Sequence, residues 1–298
     1  MTDWEDTYIS WGKGPGTTEQ SKCENAETAI RKAIAAHEEI AGMDITVFAQ
    51  GSYRNKTNVK QDSDVDICVR LNTTFFPEYP DGKKKEDFGN SAGSITFSKY
   101  KNLIGEALIS YFGSDSITRG DKAFNIHENT YRIDADVVAT FEHRRYTVRD
   151  DGSHYYLSGI GFDTDEGKRI LNWPEQHYTN GLEKHQETGR RYRKIVRILK
   201  RMRNEMQDEG IDAAENIASC LIESLVWNVP NDGFNHDRYS DDVRFVLAHL
   251  FNETIKIDTC SEWGEVSELK YLFRSAQPWT LEKAHDFISA AWDYMGLE

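Results

Sequence analysis

The sequence predicts an α+β fold in two parts, on three observations. Alternating, β-rich runs are concentrated between Ile45 and Phe162, helical periodicity takes over after Trp173-Pro174, and 298 residues suffice for one large domain or two of moderate size. We place a boundary near residue 175, giving a core over residues 1–175 that includes an N-terminal helix, and a helical domain over residues 176–298. Neither part contains an internal repeat or a low-complexity segment.

The elements follow in order. Ala26, Ala29, Ile30, Ala33 and Ile34 recur at helical spacing, predicting a first helix over 21–40. Ile45 to Gln50 reads as a short strand ending at Gly51, and Val65 to Leu71 alternates out of an acidic cluster as a second. Residues 73–90, with Pro77, Pro80, Gly82 and three consecutive lysines, read as a polar excursion. A helix is expected from Phe97 to Phe112, then a hairpin of Ala123–Glu128 and Tyr131–Tyr146 about Asn129-Thr130, and a further strand over His154–Phe162. Helices are expected at about 182–206, 214–229, 241–252 and 281–294.

Composition excludes several classes. With 36 Lys and Arg against 50 Asp and Glu, the formal charge is −14, so the chain as a whole repels the phosphate backbone of long nucleic acid. Cys23, Cys68, Cys220 and Cys260 lie far apart, which suggests neither a zinc site nor a disulfide framework and suits a reducing cytoplasm. No segment approaches the roughly 18 apolar residues of a membrane span. The glycine-rich Gly12-Lys13-Gly14-Pro15-Gly16-Thr17-Thr18 fits no phosphate-loop pattern, has no preceding strand, and reads as a turn.

The chemistry-bearing block is Gln50-Gly51-Ser52 followed, across a spacer, by Asp64-Val65-Asp66. Residues two apart on a strand share a face, so Asp64 and Asp66 present two carboxylates together, which a shared Mg²⁺ would reconcile. Asp62 has the same parity, and a plain acidic turn accounts for the same residues. Gly51 lets backbone N–H groups approach phosphate and Ser52 adds a hydroxyl donor. A third carboxylate is expected from Asp134 or Asp136, both on one side of an apolar run where an unpaired acid is costly. Arg190 to Arg203 carries eight basic residues and no acid, with Tyr192, Ile195, Val196, Leu199 and Met202 as an apolar stripe; the basic residues are expected on the opposite face, solvated or neutralising a triphosphate.

Gly51-Ser52, Asp64-Val65-Asp66 and the later Asp136-Val137-Val138 together resemble the polymerase-β-type nucleotidyltransferase superfamily and, within it, the cGAS/DncV-like nucleotidyltransferases of bacterial CBASS anti-phage systems. That resemblance implies a nucleotidyltransferase core with a mixed sheet, a C-terminal helical domain and a cleft between them. It implies Asp64, Asp66 and Asp136 as ligands of two Mg²⁺ ions, which Mn²⁺ can replace, although the proline that follows the Val-Val of the family is absent at Ala139. Gln50, Gly51, Ser52, Lys200 of Leu199-Lys200 and Ser219 carry over as triphosphate contacts; the family proline before the serine is Ala218 here, and a helix-buried serine is the other reading. Asn180 matches the asparagine that the pyrimidine-using clade E places near a nucleobase, and equally suits a turn before Gly181. The implied activity is synthesis of a cyclic di- or oligonucleotide, such as cyclic UMP-AMP, from ATP and a second nucleoside triphosphate such as UTP by a monomeric enzyme that reaches its effector through the soluble product. Transfer to a small molecule or an RNA end, or nucleotide binding without catalysis, are the alternatives.

Overall fold

A computed structural model describes residues 4–59 and 64–297 of the chain. Asp62 lies outside the described residues. The helices are α1 (Glu5–Trp11), α2 (Thr17–Ala36), α3 (Gly51–Asn55), α4 (Phe97–Phe112), α5 (Pro174–Glu187), α6 (Tyr192–Asp208), α7 (Ser219–Trp227), α8 (Tyr239–Thr254), α9 (Ile257–Cys260) and α10 (Leu281–Tyr294). The strands are β1 (Ile45–Ala49), β2 (Val65–Glu78), β3 (Ile117–Arg119), β4 (Phe124–Ile126), β5 (Ala135–Val148), β6 (His154–Asp163) and β7 (Arg169–Asn172). Two compact units result: Gly16–Tyr53 with Asp64–Pro174, and Met1–Pro15 with Arg54–Ser63 and Glu175–Glu298.

The first unit is built on a mixed sheet of order β1-β2-β5-β4-β3, with β6 pairing the far half of β5 and β7 pairing β6. Among the described residues only β2 and β5 run parallel. The odd-numbered residues Val65, Ile67, Val69 and Leu71 of β2 and Val137, Ala139 and Phe141 of β5 are buried with the apolar stripes of α2 and α4, each such side chain contributing about 1.5–3 kcal/mol. Asp66 and Asp136, being even-numbered, belong to the other face. Thr96 fixes the start of α4 by accepting the Lys99 N–H at 3.3 Å.

Strand β2 does not end at Leu71 but continues through Pro77 to Glu78, with a register shift between Leu71 and Phe75. The reason is topological: β1 pairs only as far as Leu71, so beyond it β2 is an edge where a missing N–H is tolerated. The short strands β3 and β7 escaped the sequence reading, as did α1.

The second unit is helical. Its core joins Tyr8 of α1 to Tyr192, Ile195, Leu199 and Met202 of α6, Leu221 and Leu225 of α7, Leu247 of α8, and Phe287 and Ile288 of α10. The long helix expected over 182–206 is two helices. Gly189 and Arg190 take φ of +56° and +64° between α5 and α6, and Thr188 Oγ1 accepts the Tyr192 N–H at 3.1 Å to start the second. None of the four cysteines is in a disulfide, and among the described residues no helix is long and apolar enough to cross a membrane.

Candidate active site

In the sheet unit the geometry starts where β1 stops. The Gln50 N–H donates to the Asp66 carbonyl at 2.9 Å, holding the chain against β2 for one residue more. Gly51 then turns with φ +61°, and a Cβ built there would lie 2.0 Å from Asp66 Oδ2. Glycine is therefore required twice, for the left-handed backbone and for the carboxylate beside it. Ser52 follows, half-buried in the first turn of α3.

The Val65 N–H donates to the Asp134 carbonyl at 3.0 Å, which fixes the parallel register in which Asp66 pairs with Asp136. Asp64 stands exposed just before β2. Asp136 Oδ1 accepts from Asn125 Nδ2 of β4 at 3.0 Å. Asp134 is occupied elsewhere, its carboxylate accepting the Glu128 N–H. Register, which the sequence alone does not reveal, thus separates the two aspartates that shared parity.

Among the described residues no three His, Cys, Asp or Glu side chains are gathered into a ready metal cluster. The donor set itself, hard carboxylate oxygens on adjacent strand ends, suits Mg²⁺.

In the helical unit the basic residues of α6 do not line a solvated face. Arg193, Arg197, Lys200 and Arg203 are all buried. Arg197 donates to the carbonyls of Gly12, at 2.6 and 2.9 Å, and Lys56; Arg203 donates to the Ile217 carbonyl and, at 3.3 Å, to Ser219 Oγ. Lys200 Nζ donates to the Thr57 carbonyl at 3.2 Å and reaches Glu223 Oε2 at 3.4 Å. Main-chain carbonyls left over at loops are costly when buried, and cations on an amphipathic helix satisfy them.

Glu223, 3% exposed, is the centre of this network. Oε1 accepts from His177 Nε2 at 2.9 Å and Oε2 from Thr57 Oγ1 at 2.8 Å. Burial pushes the Glu223 carboxyl up, but Lys200, His177 and Thr57 outweigh it and hold it at about 2. The sequence signal for Glu223 was a lone acid inside the apolar Leu221-Ile222-Glu223-Ser224-Leu225; for Thr57 and His177 there was none.

Ser219 is the first residue of α7 and is half-buried, its Oγ accepting from Arg203 Nη2 at 3.3 Å. Asn180 is not in a turn: it lies on α5, with Nδ2 donating to the Val266 carbonyl at 2.9 Å.

Residues 30–100 match the nucleotidyltransferase domain, which sets the class to which the strand-turn-strand geometry belongs. Residues 179–296 match the cGAS/DncV-like nucleotidyltransferase C-terminal helical domain. The cyclic dipyrimidine nucleotide synthases CdnE of Legionella pneumophila and of Cecembia lonarensis are 42% and 39% identical, each over 98% of both chains. The structure of the Rhodothermus marinus CdnE c-UMP-AMP synthase with Apcpp and Upnpp superposes with a TM-score of 0.85 at 28% identity, covering 98% of this chain and 96% of that one. The chain belongs to the cGAS/DncV-like nucleotidyltransferases.

Proposed function

We propose that this chain joins nucleoside triphosphates into a cyclic di- or trinucleotide messenger for anti-phage signalling, with a uridine-containing ring such as cyclic UMP-AMP as the favoured product. The observation that carries the reading is the register of Asp66 against Asp136, with Gly51 pressed on the Asp66 carboxylate. Family membership supports a cyclic product, and the names of the relatives at 42% and 39% identity, cyclic dipyrimidine nucleotide synthases, support a pyrimidine in the ring.

Asp64, Asp66 and Asp136 would hold two Mg²⁺ ions, which when bound supply charge neutralisation at the α-phosphate and acidify the attacking 3′-hydroxyl. The protein's own part is proton acceptance and positioning. The Asp136 carboxylate takes the 3′-hydroxyl proton, and the Asn125 amide donating to its Oδ1 at 3.0 Å supports that role by holding the carboxylate in orientation. The Gly51 backbone and the Ser52 hydroxyl receive phosphate oxygens, so that the hydroxyl attacks in line and pyrophosphate departs. Lys200 and Ser219 serve as the phosphate-contacting groups of the helical unit. Gln50, whose main chain is pinned to Asp66, sets where the Gly-Ser turn begins. A second attack of the same kind closes the ring.

Purified protein is incubated with Mg²⁺ and all four NTPs, one radiolabelled at the α-phosphate in each run, then treated with phosphatase and chromatographed. A phosphatase-resistant product that an Asp64→Ala/Asp66→Ala variant does not make is expected, its bases identified by the labels that enter. Label transferred to an added small molecule or RNA, or no product with Mg²⁺ or Mn²⁺, would overturn the cyclic-product reading.

A further inference from the structure

Four cations of α6 turn inward, and three have clear structural partners. Arg197 ends on the carbonyls of Gly12 and Lys56, Lys200 on that of Thr57, and Arg203 on that of Ile217. Arg193 ends on no carbonyl, and its side-chain hydrogen bond is with Tyr178. It is 8% exposed, and its Nε and Nη2, the two nitrogens of one edge of the guanidinium, have neither exposed surface nor a hydrogen-bond partner. Its guanidinium carbon stands 5.8 Å from the centre of the Tyr178 ring, over which Arg54 also sits at 5.2 Å. Glu223, the carboxylate whose charge it feels, is committed to Thr57, His177 and Lys200.

A buried guanidinium with an unmet edge is costly, and that edge is the fork that accepts two oxygens of a phosphate or carboxylate at once. We propose that Arg193 is an anion-binding residue that takes a phosphate oxyanion of the nucleotide on its Nε/Nη2 edge. The proposal rests on the nucleotidyltransferase reading above and adds a residue to it.

Two further features favour an anion at this place. The Arg193 N–H donates to His185 Nδ1 at 3.4 Å, so that ring is the neutral tautomer with its proton on Nε2. Burial, then Arg193, Arg197, Lys194 and Arg190, push the His185 imidazolium down to about 4, which marks the surroundings as strongly positive. The second feature is freedom to move. To meet a ligand, Arg197, Lys200 or Arg203 must leave a carbonyl behind, whereas the Nε/Nη2 edge of Arg193 has no hydrogen bond to give up, its side-chain bond being with Tyr178.

The test compares wild type, Arg193→Met and Arg193→Lys by thermal unfolding in Mg²⁺ buffer with and without inorganic pyrophosphate, and by steady-state kinetics on NTP. Removing an unpaired buried charge should leave the ligand-free Tm of Arg193→Met equal to or above wild type, abolish most of the rise in Tm with pyrophosphate, and raise the NTP KM about tenfold with kcat nearly unchanged. Arg193→Lys should fall between. A ligand-free Tm clearly below wild type in both variants, an unchanged pyrophosphate response, or no response in wild type would each overturn the proposal. If wild type makes no cyclic product yet shows an Arg193-dependent pyrophosphate response, the product reading fails and the anion role stands. If the product forms with an unaltered KM in Arg193→Met, the anion role fails alone.

Discussion

Asp66 lies opposite Asp136 across the one parallel strand pair of the sheet, and an amide from a third strand, Asn125 Nδ2, rests on the Asp136 carboxylate at 3.0 Å. Two acids brought to the same level of adjacent strands oppose each other, so the fold carries a local electrostatic cost that a divalent cation would relieve. Asp136→Asn should therefore raise stability in metal-free buffer by about 0.5–1 kcal/mol while lowering activity by about 100-fold or more. Denaturant unfolding with and without Mg²⁺ checks it: the ion should stabilise wild type and leave the variant unmoved.

Gly51 is tied to the same carboxylate. A methyl at this position would meet Asp66 Oδ2 at 2.0 Å on a backbone with φ +61°. Gly51→Ala should lose about 1–2 kcal/mol from the left-handed conformation and, by displacing Asp66, about 100-fold in turnover. The displacement argument makes a sharper claim through a double variant. Gly51→Ala combined with Asp66→Asn should be barely less active than Asp66→Asn alone, and additive losses would show that the glycine matters for another reason.

Asn180 spends its Nδ2 on the Val266 carbonyl, which holds the amide in one orientation and presents Oδ1 as acceptor for a base N–H. Asn180→Ser should shift incorporation from uridine toward purines, read by which labelled NTP enters product. An unchanged product spectrum would remove Asn180 from base recognition.

The limits of α4 and α10 are readable from the chain because a threonine cap opens each, Thr96 on the Lys99 N–H and Thr280 on the Lys283 N–H, and apolar residues repeat at helical spacing behind it. The facing of Asp66 away from the core is readable for a similar reason, since parity is a local property of a strand. What was illegible depends on partners distant in sequence. Pro77 belongs to a strand only because β1 has already ended, and Asp136 is separated from Asp134 only by its register on β2. The four inward cations of α6 were expected on the face opposite the apolar stripe, solvated or neutralising a triphosphate, because a sequence does not show which carbonyls need a donor. Those of Gly12 and Lys56, which Arg197 satisfies, lie far from it along the chain. Arg190 split a long helical pattern because Gly189 and Arg190 both adopt positive φ, and no apolar periodicity reports that.

The buried carboxylate of Glu223 gives the helical unit an acid-sensitive element. Its carboxyl, held at about 2 against an ordinary 4.5, binds fewer protons folded than unfolded, so its stabilisation is complete above 4.5 and is lost as pH falls toward 2. Glu223→Gln leaves Lys200 buried without its charge partner, and should cost about 3–5 kcal/mol at neutral pH. Between pH 4.5 and 2 the variant's stability should fall less steeply than wild type, and parallel slopes in urea unfolding would disprove the linkage.

Lys184 gives a slope of the same sign for a different reason, since here the charged form is the one that folding disfavours. Its Nζ donates to the Val229 carbonyl at 2.7 Å and Asn231 Oδ1 at 2.8 Å among the rings of Trp227, Phe234 and Tyr192. Burial presses the ammonium from 10.5 down to about 8, with Glu187 and Glu268 offsetting part of the shift. From pH 8 to 10.5 the unfolded lysine is protonated and the folded one is not, so this group's contribution to stability rises with pH across that window. The neutral amine still has two protons for its two acceptors, so the gain is not offset by a lost hydrogen bond. Wild type should therefore gain stability relative to Lys184→Met between about pH 7 and about pH 10, measured by urea unfolding. A difference that stays flat across that range would mean the lysine titrates as it does in water, and the aromatic enclosure would then have no energetic consequence for its charge.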